Sequence, residues 1–322
     1  KIVFVFNNLK RNLKNFLTKN NFQFFLNKTY SENLNFEKVQ SNKIQVRDAT
    51  ETLKVIDKTL SKIVIIDDYK KDIKWERIIK NSNCKIIVVD DLANRRHSCE
   101  ILCDSNILSG YRRRYKNKVS KKSKLLLGEK FIILREEFRK NRKKKKIKKQ
   151  VKKIHFCLNS FPNEKLIRVI LVALNDISIV YKKIKLEIFL LNKNDKIINL
   201  IKSIKLNFSY HIYLNKNDIS KNINNSDLGI GFAGTSMYER ASLGLPSITF
   251  SNSKNQDLSL YDNMSKKFIF PVKNKNINKK FIFSILEDLI KNYKLRSKLS
   301  KFGQKKVDGT GVKRIFNEII KL

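Results

Sequence analysis

The chain has 322 residues, 41% of them hydrophobic, enough apolar material for two packed domains with separate cores. Its 70 Lys and Arg stand against 29 Asp and Glu, a formal charge of +41. No apolar stretch approaches the roughly 20 residues of a membrane helix and no basic-then-apolar leader opens the chain, so a soluble cytoplasmic protein is expected. A charge of this size raises nucleic acid as a partner, because polyphosphates bind clustered Lys and Arg. Here Lys is spread beside abundant Asn and Ile, the pattern that codon bias in an AT-rich genome produces without any partner, and nucleic acid is not expected. Four cysteines, Cys84, Cys99, Cys103 and Cys157, lie in or beside apolar runs, which points to reduced thiols rather than a disulfide framework.

In chain order, residues 1–6 already read as a strand, so a segment upstream is expected to be missing. Leu9, Leu13, Phe16 and Leu17 recur at helical spacing. Residues 49–60 suggest a helix, and 62–66 a buried strand ending in Asp67 and Asp68. A helix around 75–79 follows, then a buried strand over 84–89 ending in Asp90 and Asp91, then a short apolar run over 100–103. The run 139–153 is basic, with no acidic residue and no aromatic to stack a base. Self-repulsion keeps such a run extended, and it reads first as a solvated linker, second as an RNA-binding arm.

Past that run the alternation restarts: a strand over 154–158, a helix over 165–174 and a strand over 186–191. Asp227-Leu-Gly-Ile-Gly-Phe-Ala-Gly-Thr-Ser-Met-Tyr-Glu-Arg-Ala-Ser-Leu-Gly-Leu-Pro246 then reads as strand, glycine turn, short helix and stop. A strand over 247–250, a helix over 281–292 and a basic amphipathic helix from 312 onward complete the chain. Strands alternating with helices predict an α/β protein of two Rossmann-like doubly wound domains facing a cleft, the GT-B type, with an N-terminal strand–loop–helix unit missing. The expected division is a first domain over 1–138, the linker 139–153, a second domain over 154–305 and a C-terminal helix over 306–322.

The 227–246 stretch carries the chemistry. Gly234 would let backbone approach a ligand closely, and Thr235 and Ser236 open a helix whose free N–H groups attract phosphate. Glu239 can accept both hydroxyls of a ribose while a pyrophosphate rests on the helix end. It can equally close a capping box with Ser236. Asn255 and Gln256 follow the next strand and would lie at the same edge of the sheet. In the first half, Asp67, Asp68, Asp90 and Asp91 end strands, where paired carboxylates perform acid–base work, hold a metal or cap the next element. His97, Cys99 and Cys103 lack a fourth ligand and fit no common zinc spacing, so no metal is expected. His155 and His211 sit in strand patterns and read as packing residues.

Taken together, the motifs resemble the UDP-2,4-diacetamido-2,4,6-trideoxy-β-L-altropyranose hydrolase family of pseudaminic acid biosynthesis. The resemblance is carried by Ile66-Asp-Asp-Tyr69 with Trp75-Glu76, Val89-Asp-Asp-Leu-Ala-Asn-Arg95 with His97 and Cys99, and Leu126-Leu-Gly128 with Phe131 and Leu134-Arg-Glu-Glu-Phe138. The 227–246 stretch, Asn255-Gln256 and Asp308-Gly-Thr-Gly311 with Arg314 extend it through the second half. That family looks like the two-domain peptidoglycan N-acetylglucosaminyltransferase architecture with water in place of the acceptor sugar. The resemblance implies hydrolysis at the anomeric carbon, without a cofactor, for surface glycans. Ser160, Gly234, Thr235, Ser236, Glu239, Asn255 and Gln256 become the UDP-binding set, and Tyr69 and Asn255 the catalytic candidates.

Two departures matter. The family opens with a strand and a glycine-rich turn bearing Gly-His, its proposed general base, and none of His97, His155 or His211 matches that position. Leu158-Asn-Ser-Phe-Pro162 stands where the family shows Gly-Gly-Ser-Asp-Pro, so Ser160 and Pro162 remain while both glycines are lost. A glycosyltransferase of the same architecture, and a catalytically dead UDP-sugar-binding paralogue, are the alternatives.

Overall fold

The computed structural model describes residues 1–27, 29, 42–158, 163–204, 206–251, 253–262, 265–272 and 277–322. The chain divides into two units. The first comprises Lys1–Asp104, Arg112–Leu127 and Asn317–Leu322, the second Ser105–Tyr111 and Gly128–Phe316.

In unit 1, β1 (Val3–Phe6), helix α1 (Arg11–Lys19) and β2 (Gln23–Leu26) make a two-stranded parallel sheet. A second parallel sheet holds β3 (Ile63–Ile66), β4 (Lys85–Val89), β5 (Ile101–Asp104) and β6 (Lys124–Leu127) in chain order. Helices α2 (Asn42–Thr59) and α3 (Ile73–Ile79) belong to the same unit. Helix α2 starts earlier than its apolar spacing predicts, because polar residues sit on its buried face. Gln45 donates to the Lys70 carbonyl, and Asp48, whose side chain is 2% exposed, accepts from the Trp75 indole at 2.7 Å and from Lys71 at 2.6 Å. Asp48 also accepts from Asn7 and Thr29, at the ends of β1 and β2. Strand β3 is not the buried strand expected: Ile63 and Ile65 are 40% and 59% exposed. Among the described residues it pairs with β4 alone and ends the sheet, whereas Ile86, Ile87 and Val88 of β4 are buried between two strands.

Unit 2 is built on a six-stranded parallel sheet of order β12-β11-β10-β7-β8-β9. The strands are β7 (Lys153–Leu158), β8 (Lys185–Leu190), β9 (Tyr210–Leu214), β10 (Leu228–Phe232), β11 (Ser247–Phe250) and β12 (Phe270–Pro271). From β7 the chain winds outward through β8 and β9, then returns to β10 on the other side of β7. This order reversal is the switch point outside which such sheets bind ligands, at the strands' carboxyl ends. Alternate residues pack one face: Ile154, Phe156 and Leu158 of β7 with Leu228, Ile230 and Phe232 of β10 share a core with helices α5 (Glu164–Val180) and α10 (Lys279–Lys291). Cys157, Phe189, Ala233 and Met237 share the second cluster.

Between these lie α4 (Glu136–Lys140), α6 (Asp195–Ser203), α7 (Ser220–Asn225), α8 (Thr235–Ser242) and α9 (Lys254–Tyr261), with α11 (Tyr293–Lys306) and α12 (Gly311–Ile319) at the end. Asparagine starts four helices of unit 2: Asn163, Asn194, Asn278 and Asn292 each accept the amide hydrogen three residues on, opening α5, α6, α10 and α11. Each such cap contributes about 1 kcal/mol.

The basic run is part of unit 2 and is tied down. Lys145 donates to the carbonyls of Ile223, Asn224 and Ser226 at the end of α7, and Gln304 donates to the Lys143 carbonyl. The buried Arg296 spans from the carbonyls of Leu289 and Ile290 to those of Lys148 and Lys149. Lys143, Lys144, Lys146 and Lys149 are exposed, whereas Lys145 is drawn inward and Lys148 pairs with Asp227 at 3.2 Å.

Candidate functional site at the switch point of unit 2

Strand β10 ends at Phe232, beside β7, and turns through Ala233 and Gly234 into α8. Gly234 has φ +94 and ψ −159, a region that only glycine occupies without strain. It is the N-cap and has no side chain with which to cap the helix. Thr235 is exposed and Ser236 half-buried, so among the described residues the amide end of α8 is open. The first-turn N–H groups and the helix dipole together favour an anion there.

The two readings of Glu239 separate here. Ser236 does not cap; its hydroxyl donates to the Phe232 carbonyl at 3.1 Å, and the capping box is not formed. Glu239 is 7% exposed and meets Arg135, whose Nη2 lies 3.2 Å from its Oε1. Burial pushes the Glu239 pKa up, and the Arg135 guanidinium opposes that push. A half-exposed arginine on a nearly buried carboxylate leaves a charged pair one turn into the helix, the place of a ribose carboxylate. Arg135 is itself held by Glu137 at 2.9 Å and by the Asn217 carbonyl.

Gln256 reaches the same turn: a Cβ built on Gly234 would stand 3.7 Å from its Nε2. Asn255 lies beside it on α9. Ser160 and Pro162 fall outside the described residues. Gly234, Thr235, Ser236, Glu239 and Gln256 are thus brought together, whereas Arg135 and Arg240 were not foreseen as site residues. Arg240 could have been found from Gly229 and Gly231, two glycines in a buried strand with no turn to make.

In unit 1 the strand-end carboxylates divide by environment. Asp90 is fully engaged: Arg95 pairs with it at 2.9 Å, Ala93 N–H donates to it, and His97 Nε2 stands 3.8 Å away. Burial raises its pKa, but His97 and Arg95 outweigh that and hold it at about 2. On its other side, His97 Nδ1 meets Glu76 at 2.6 Å. Burial lowers the His97 pKa, and the two carboxylates more than reverse this, leaving it raised above 6.5. Asp67 is different. Loss of hydration raises its pKa, and so do the charges of Asp91 and Asp68. Tyr69 is 42% exposed, its ring under the Arg95 guanidinium at 5.9 Å. Burial, then its bond to Asp91, pushes its pKa up, so it remains a neutral hydroxyl. His155 is wholly buried, its pKa driven down to about 3 by burial and then by Arg240, while His211 is exposed on β9.

No protein-family model and no curated protein sequence matches the chain. Solved structures do. MurG of Acinetobacter baumannii superposes with TM-score 0.65 at 11% identity, over 96% of this chain and 87% of its own. UDP-GlcNAc 2-epimerase of Neisseria meningitidis, solved bound to UDP-GlcNAc, superposes with TM-score 0.63 at 11% identity, over 100% and 92%. A glycosyltransferase of Rickettsia africae gives TM-score 0.55 at 14% identity, over 99% and 90%. At such identities the likeness defines the fold: a GT-B protein of two Rossmann-like units.

Proposed function

We propose that the protein is a UDP-sugar enzyme that breaks the bond between the anomeric carbon and UDP, with unit 2 holding the nucleotide. The observation that carries this is the uncapped amide end of α8 at the switch point, with the Glu239–Arg135 pair one turn further on. A diphosphate would take the N–H groups of the first turn of α8 and the Gln256 amide. Glu239 would take the ribose hydroxyls, Arg135 swinging toward the phosphates. Donors fixed before the ligand arrives stabilise the charge that develops on a departing UDP, which lowers the barrier without a protonating acid.

Two acceptors fit this chemistry. Sugar transfer is favoured by the likeness to MurG and to the Rickettsia glycosyltransferase. Hydrolysis is supported by the ordered unit 1 motifs, Ile66-Asp-Asp-Tyr69 and Val89-Asp-Asp-Leu-Ala-Asn-Arg95, that resemble those of the altropyranose hydrolase family. In either case the acceptor must lose a proton, and within unit 1 Asp67 is a carboxylate of the kind that could receive one: its pKa is raised, and no ion pair or hydrogen bond ties it among the described residues. Tyr69 and Asn255 would position the sugar or the water.

UDP release from UDP-GlcNAc and from the UDP-altropyranose substrate, measured with and without an acceptor sugar, tests the reading. Release that requires the acceptor identifies a transferase, release without it a hydrolase, and no UDP binding by calorimetry rejects the nucleotide assignment. Asp67→Asn should lower kcat at least about 100-fold while leaving the Kd for UDP within about twofold.

A further inference from the structure

Arg240 is 1% exposed, among the largest fully buried side chains of the protein. Room for it is made by strand β10: a Cβ on Gly231 would stand 2.5 Å from its Nη1, and one on Gly229 would stand 3.1 Å from its Cδ. The guanidinium fills that space and reaches the turn into α8. Its Nη2 donates to the Phe232 carbonyl at 3.1 Å and to the Thr249 hydroxyl at 3.4 Å, and its Nη1 to the Ser236 hydroxyl at 3.3 Å. Nε has no acceptor among the described residues.

What it lacks is a bonded counter-charge. No carboxylate forms an ion pair with Arg240 among the described residues, although a buried ion normally requires one. Its neighbours compensate it only in part. His155 is held neutral, the Cys157 thiol is pushed up to about 11 by burial, and Glu239 acts on Arg240 through space while its bond goes to Arg135. A guanidinium remains protonated at neutral pH even when burial lowers its pKa.

We infer that Arg240 is the positioning and charge-setting residue of the nucleotide site: from between α8 and the sheet it braces the 232–236 turn through Ser236 and Phe232, and its charge, bonded to no carboxylate, makes the amide end of α8 selective for multiply charged phosphate esters. This rests on the reading of that helix end as the diphosphate seat. The ligand completes an ion pair that the protein leaves open, so affinity grows with phosphate charge in a medium where Coulomb forces are weakly screened.

The test is calorimetry of the full chain with uridine, UMP and UDP, comparing wild type, Arg240→Met and Arg240→Lys. Arg240→Met should raise the Kd for UDP about tenfold or more, that for UMP less, and leave uridine unchanged. Arg240→Lys, which keeps the charge, should hold UDP within about threefold of wild type, and it decides the matter if the Met variant does not fold. Equal losses for all three ligands would show a merely structural role and overturn the inference, as would unchanged UDP binding in Arg240→Met or a Lys variant as weak for UDP as the Met variant. A wild-type chain that binds uridine and UDP alike overturns the charge role alone; one that binds none of the three overturns the nucleotide reading with it.

Discussion

Glu239 and Arg135 come from positions 104 residues apart, and their 3.2 Å approach leaves a nearly buried carboxylate with one half-exposed partner. A carboxylate so placed keeps free lone pairs for a ribose, at the cost of partial dehydration. Glu239→Gln should weaken UDP by roughly 1 to 3 kcal/mol, the value of a hydrogen bond to a charged group. The same change should leave inorganic pyrophosphate unaffected, since no ribose is present. Calorimetry with both ligands checks this, and an equal loss for pyrophosphate would mean that Glu239 acts on the phosphate seat instead. Because no capping bond joins Glu239 to Ser236, the thermal midpoint of the variant should not fall by the amount a lost helix cap costs.

At the scale of the element, the β10–α8 unit shows one sequence serving two needs. Gly234 supplies a backbone conformation, whereas Gly229 and Gly231 supply volume for Arg240. The distinction is testable. Gly231→Ala puts a methyl group 2.5 Å from the Arg240 guanidinium and should destabilise unit 2 by about 1 to 3 kcal/mol. That penalty should shrink in an Arg240→Met background, where the crowded atoms are gone, and a double-mutant cycle on chemical denaturation measures the coupling. Additive costs would show that Gly231 is needed for strand geometry rather than for clearance. The basic run illustrates the reverse case, in which side-chain chemistry hides what the backbone does: Arg296 takes four of its neighbours' carbonyls and holds the strap to α10 and α11.

For the whole molecule, the buried Glu76–His97–Asp90–Arg95 chain sets a pH window for unit 1. Asp90 titrates at about 2 in the folded state against 3.8 ordinarily, so its contribution of about 2 kcal/mol is present above 3.8 and lost as pH falls toward 2. The His97 pKa is raised above 6.5, so its contribution is complete below 6.5 and is lost as pH rises through the folded value. Unit 1 should therefore be most stable between about pH 4 and 6.5. Melting curves across pH 2 to 9 on wild type and His97→Gln check it, at roughly unit intervals, and the alkaline decline should flatten in the variant. A decline of the same slope in both would remove His97 as its cause.

Much of the α/β alternation was legible because it is local. Apolar runs mark β4, β7 and β8, and the strand–glycine–helix succession of 228–242 is written in residues whose backbone preferences act within a few positions. What was missed had a nonlocal cause. Helix α11 carries Leu295 and Leu299 at helical spacing, but Arg296 and Ser300 are buried beside them and blur the apolar stripe. The start of α2 is concealed in the same way by Gln45 and Asp48. The sequence by itself therefore determined the strand–helix alternation around β3, β4, β7, β8, β10 and β11 and the helix that starts after Gly234, since hydrophobic period and glycine conformation are properties of short segments. Only the tertiary structure decided that Glu239 faces Arg135, that Asp90 is engaged by Arg95, and that Arg240 lies buried between α8 and the sheet with no bonded carboxylate among the described residues, because partner and burial depend on distances through space.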